Sequence, residues 1–148
     1  MAYYMVKPEV AGRLGEGTVL DHSTHPPRVE RLEYEIVGWT GDDLMTGFPS
    51  YVITDHLAGK LRGAGLSGFD LRDVRITFSP EGEDALRVMG FSDFPAVKWF
   101  YVTGQAERDD FGLTPRGRLV VSGNGLTGLR QGRLDQARIE EYDPEIHK

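Results

Sequence analysis

The stretch Phe48-Pro49-Ser50-Tyr51-Val52-Ile53-Thr54 decides the fold, because a version of it returns as Leu119-Val120-Val121-Ser122. Each run is short and rich in β-branched residues, and each closes on a hydroxyl residue. That order predicts a strand passing directly into a helix N-cap. The echo continues at an offset of 68 residues, as from Val52 to Val120: Leu61-Arg62 returns as Leu129-Arg130, and Leu66 as Leu134. Upstream, Gly41-Asp42-Asp43-Leu44 leads into the first run and Asp109-Asp110-Phe111-Gly112 into the second. Self-similarity at a fixed period speaks to architecture, here to two units covering approximately residues 41–78 and 109–142.

The flanking segments fill in the expected elements. Between Val29 and Trp39, Leu32, Tyr34 and Ile36 alternate with Glu33 and Glu35, the pattern of a half-buried antiparallel strand. Leu57, Ala58 and Leu61 fall at helical spacing, with Gly65 placed to stop the helix. Phe69, Leu71, Ile76 and Phe78 read as one strand or a bulged strand pair, since alternation loses register near Asp73 and Val74. Pro80 followed by Glu81, Glu83 and Asp84 suits the positive end of a short helix reaching Met89. Val97 to Thr103 predicts a central strand, and Ala137 to Tyr142 a final one. Gly123-Asn124-Gly125 is poor in helix propensity and could form a tight turn, but Leu126 and Leu129 favour a helix. The expected class is α+β: a single domain with a mixed or mainly antiparallel sheet, two or three short helices and an internal strand-helix-strand duplication.

Composition narrows the function classes. A chain of 148 residues can bury a core without staples, and the lack of cysteine removes disulfides, thiolate metal sites and thiol nucleophiles. With no basic-then-apolar leader at Met1-Ala2-Tyr3-Tyr4 and no long apolar run, the expectation is a cytoplasmic protein with no membrane association. Seventeen basic residues against 23 acidic ones give a net charge of −6, and the basic residues are scattered. Nucleic-acid binding is therefore not expected. A basic protein partner is, through steering and complementary potential.

Four features are candidates for chemistry or contact. Gly63-Ala64-Gly65-Leu66-Ser67-Gly68 matches the dinucleotide-binding spacing but follows a helix instead of opening one, so it reads as a helix stop and loop. Asp21, His22 and His25 form a proline-bounded loop that could hold a metal or small ligand, the basis of an alternative reading as a small metal-dependent hydrolase or ligand-binding enzyme. The pairs Asp42-Asp43 and Asp109-Asp110 either cap turns or present carboxylates to a partner. Phe91 and Phe94 sit in a loop which, if exposed, would make a protein-binding surface. No nucleophile elbow, phosphate-cradling loop or zincin helix is present, so no catalytic residue, cofactor or assigned metal is expected.

The repeated unit of apolar strand, Ser or Thr, leucine-bearing helix and glycine-marked turn resembles that of immunity proteins from bacterial polymorphic toxin systems and related uncharacterised bacterial proteins. The stretches that carry the resemblance are Asp42-Asp43-Leu44 with Phe48 to Thr54, and Asp110-Phe111-Gly112-Leu113 with Leu119 to Ser122, about half the chain. Gly123-Asn124-Gly125 departs from the acidic residue and clean helix that often follow the second hydroxyl in such families. The resemblance implies a protein without an enzymatic site that binds and occludes a protein partner such as a toxin. No functional residue is carried over from the family by position; from the residues themselves, contact would fall on Asp42, Asp43, Asp109, Asp110, Phe91 and Phe94, and the oligomeric state is left open.

Overall fold

The computed structural model describes residues 2–148. They form β1 (Tyr3–Lys7), β2 (Gly12–Leu14), β3 (Val19–Asp21), β4 (Arg28–Arg31), β5 (Glu33–Ile36), β6 (Leu44–Gly47), β7 (Ser50–Thr54), α1 (Asp55–Gly63), β8 (Phe69–Arg72), β9 (Arg75–Phe78), α2 (Pro80–Val88), β10 (Val97–Val102), β11 (Phe111–Leu113), β12 (Leu119–Ser122), α3 (Gly123–Leu129) and β13 (Arg138–Glu141). The class is α+β, and β5 with β9 is the one parallel pair among these named strands.

Two four-stranded sheets, β6-β7-β10-β8 and β11-β12-β1-β13, repeat one plan. In each, a hairpin leads into a helix and a returning strand lies at the far edge. The register matches residue for residue. Trp99 faces Val52 and Arg72 in the first sheet, and Met5 faces Val120 and Glu140 in the second. Val52 with Val120, and Arg72 with Glu140, keep the 68-residue offset of the sequence. The strand between hairpin and returning edge is β10 in one sheet and the N-terminal β1 in the other. The second unit is therefore closed by the start of the chain.

Each repeated strand runs straight into its helix because its last residue caps it. Thr54 Oγ1 accepts from the Leu57 amide at 3.3 Å, and Ser122 Oγ from the Gly125 amide at 2.9 Å. Such caps satisfy amides the first helical turn would otherwise leave unpaired. Helix α3 forms despite its glycines because its neighbours demand them. A Cβ on Gly125 would lie 2.7 Å from the Asp110 carbonyl oxygen, and one on Gly128 within 2.9 Å of Leu61 and Leu66. Tertiary packing overrides propensity here.

The first sheet is buried on both faces, and every residue of β7 is buried. Leu44, Tyr51, Ile53 and Phe100 join one core with α1, α3 and the second sheet. Met45, Val52 and Trp99 join another with Ala11, Leu32, Tyr34, Ile36 and Trp39. This explains why Tyr51 to Thr54 reads as a continuous apolar run without alternation.

Two expected elements are corrected. The run Val29 to Trp39 is not one strand: β4 pairs with β3 and β5 with β2, and the strand is interrupted at the buried Leu32. Phe69 to Phe78 is two strands in different sheets, β8 beside β10 and β9 beside β5, which accounts for the lost register at Asp73 and Val74.

Candidate functional site

The two acidic pairs singled out by the sequence are committed to hydrogen bonds within the fold. Thr54 Oγ1 donates to Asp43 Oδ1 at 2.7 Å, and the Arg133 amide beyond α3 donates to Asp43 Oδ2 at 2.6 Å. In mirror fashion, Ser122 Oγ donates to Asp110 Oδ1 at 2.7 Å, and the Ser67 amide beyond α1 donates to Asp110 Oδ2 at 3.0 Å. Each unit thus holds the loop that leaves the other unit's helix. Asp42 is fully buried and accepts from the amides of Asp135 and Gln136 at 3.0 and 2.8 Å. Asp109 accepts from the Gln105 amide at 2.8 Å.

A further carboxylate, which the sequence did not mark, joins this group. Glu9 is buried; its Oε2 receives the Thr40 amide and hydroxyl at 2.7 and 2.8 Å. Burial raises the pKa of both Glu9 and Asp42, opposed by the hydrogen bonds they accept. Perturbed carboxylates are a common mark of active sites. Here the partners are backbone amides and a threonine, so the arrangement fixes loops.

The aromatic loop is folded onto the core. Phe91 and Phe94 pack on Trp39 with ring centroids 4.8 and 5.0 Å apart, and Phe94 also meets Phe78 at 5.6 Å. The sequence left open whether this loop is exposed or folded onto the core; both rings are partly buried, because Trp39 and Phe78 offer them an apolar seat.

Asp21, His22 and His25 do not converge. Asp21 accepts from the Ser23 amide at 2.9 Å and pairs with Arg28 at 3.2 Å. The Ser23 hydrogen bond, first among its influences, lowers its pKa. Among the described residues, no group of three His, Cys, Asp or Glu side chains is placed to hold a metal ion. His25 is directed elsewhere, to the wall of the groove described next.

That groove, of about 1000 Å³, runs between the outer face of β1 and β13, the β6–β7 turn and the β11–β12 loop. Its lining includes Met5, Val6, Val10, Phe48, Tyr51 and Leu119. Two of these are open to solvent: Val10 is 62% exposed and Phe48 61%. Tyr51 is anchored, donating its hydroxyl to the Gly117 carbonyl at 2.9 Å, and burial pushes its pKa up to about 12. Lys7, Arg116, Arg118 and Arg138 also line the groove, and none makes an ion pair among the described residues. Its one acid, Glu140, is engaged by His147 at 2.9 Å.

Sequence reasoning missed this site because its members come from five separate segments. The available signal was indirect: an exposed aromatic at Phe48 in the repeated motif, where the second copy carries no aromatic. No protein-family model matches the chain, and comparison with curated proteins returns no significant match. Among the described residues, no helix is long and apolar enough to cross a membrane.

Proposed function

We propose that this chain is a non-enzymatic, immunity-like protein that acts by binding and occluding a protein partner, with the groove between β1, β13 and the β6–β7 turn as its contact surface. The observation that carries this reading is the pairing of two exposed apolar side chains, Val10 and Phe48, with an open concave floor. Exposed apolar groups gathered in a polar-rimmed concavity are the usual form of a recognition surface. The carboxylates support the same reading, since Glu9, Asp42, Asp43 and Asp110 all hold backbone in place. The net charge of −6 steers a basic partner toward the chain. Long-range field and local contact are separate matters, and the second is set by the groove.

The test is a pull-down from native cell extract with the wild-type chain and with Phe48→Asp and Val10→Asp. One protein retained by the wild type and lost by both variants is the expected result. Equal retention by the variants, or no protein retained in repeated trials that include the products of neighbouring genes, overturns the proposal.

A further inference from the structure

The groove carries an excess of positive charge in a chain that is acidic as a whole. Lys7 and Arg138 lie directly opposite each other across β1 and β13. Like charges in that position repel and cost stability. Arg118 and Arg116 approach from the β11–β12 loop and extend the cationic rim. Elsewhere, arginines on the surface are commonly neutralised: Arg13 meets Glu35 at 2.7 Å, Arg28 meets Asp21, and Arg133 meets Asp135 at 2.7 Å. The four groove cations have no such partner among the described residues, and the nearby Glu140 is turned to His147. Uncompensated cations around an apolar floor are complementary to a ligand that brings both negative charge and an apolar group.

We propose that the groove takes an acidic segment of a protein partner, with an aromatic or aliphatic side chain seated on Val10 and Phe48 and carboxylates set against Lys7, Arg116, Arg118 and Arg138. This rests on the reading of the groove as the partner-binding surface. Two observations favour a segment over a single phosphate group. First, the turn amides that could cradle a phosphate are occupied: the Gly117 amide donates to the Thr114 carbonyl at 2.8 Å and the Arg118 amide to Thr114 Oγ1 at 3.1 Å. Second, the cations are distributed along the groove on β1, β13 and the β11–β12 loop, and they flank an apolar floor that a bare phosphate would leave unused.

The experiment uses the full chain and three probes in calorimetric titration: a short Glu/Asp-rich peptide with a central tryptophan, its Gln/Asn counterpart, and inorganic pyrophosphate. The acidic peptide alone is expected to bind, more weakly as salt rises. Arg118→Gln and Arg138→Gln should each weaken it by roughly two- to fivefold, the worth of one exposed ion pair. Phe48→Asp should abolish it. Each variant is first shown to unfold cooperatively at or above the wild-type transition, since Arg138→Gln also relieves the repulsion with Lys7. Equal binding of the neutral peptide, or indifference to both arginine variants, overturns the acidic-segment proposal. So does tight pyrophosphate binding that displaces the peptide, which would make the groove a small-anion site. If any of these holds while Phe48→Asp still loses the partner in the pull-down, the groove remains the contact surface and only the ligand class has failed.

Discussion

Thr54 and Asp43 are joined by a 2.7 Å hydrogen bond from hydroxyl to carboxylate while the same hydroxyl caps α1, and Ser122 and Asp110 reproduce the arrangement at α3. Each hydroxyl therefore does two things at once, and each aspartate ties its strand to the loop beyond the opposite helix. Thr54→Ala or Ser122→Ala should cost about 1–2 kcal/mol, at the upper end for N-caps, because a carboxylate oxygen also loses its donor. A double-mutant cycle of Asp110→Ala with Ser122→Ala, read by urea denaturation, should show coupling of about 0.5 kcal/mol or more. Strict additivity would mean that the two side chains act independently.

The pseudo-repeat was legible in the sequence because equivalent residues do equivalent work: Asp43 and Asp110, Thr54 and Ser122, Leu61 and Leu129. Its closure was not legible. The counterpart of β10 in the second unit is β1, which precedes both units in the chain, so no fixed offset reveals it. The bonds made by the acidic pairs were not legible for a related reason. An aspartate that receives a distant loop amide looks the same in sequence as one facing solvent, and only the fold brings Arg133 and Ser67 to Asp43 and Asp110.

Glu9 and Asp42 make stability depend on pH in a definite direction. Both have folded-state pKa values raised by burial, so the native state holds protons that the unfolded chain has lost. Their contribution is fully present below the ordinary carboxylate range and is lost as pH rises through the raised values. Glu9→Gln removes one of the two groups. The stability of Glu9→Gln relative to wild type should therefore increase from mildly acidic to neutral pH, as measured by urea midpoints at a series of pH values. A difference that stays flat with pH would show that Glu9 does not titrate in that window.

Gly68 should tolerate no side chain. Its φ of 99° lies in the region that glycine alone adopts readily, and a Cβ there would collide with the Phe111 carbonyl oxygen. The same glycine carbonyl accepts from the amides of Thr103 and Gly104 at 2.8 and 3.0 Å, fixing where β10 ends. Gly68→Ala should cost well over the about 1 kcal/mol of an ordinary glycine replacement at positive φ. Gly63→Ala is the control, since a Cβ there meets open space within a helix, and it should be neutral or slightly stabilising. Similar thermal transitions for the two variants would argue against the close approach of β11 to this turn.

Lys7 provides the sharpest separation of stability from binding. Facing Arg138 across the two strands with no acidic partner among the described residues, it should destabilise the free protein. Lys7→Gln should then raise stability by about 0.2–1 kcal/mol, the range for a cross-strand pair, and weaken binding of the acidic peptide in the same preparation. A residue kept only for packing would move the two readouts together, since loss of the native surface would reduce both. Opposite movement follows only if the repulsion in the free protein is relieved by a bound anion. Measuring the thermal transition of wild type and Lys7→Gln with and without the peptide distinguishes these cases. The peptide should raise the wild-type transition more than that of the variant, because it neutralises a repulsion the variant no longer has. An equal rise in both would remove Lys7 from the contact surface.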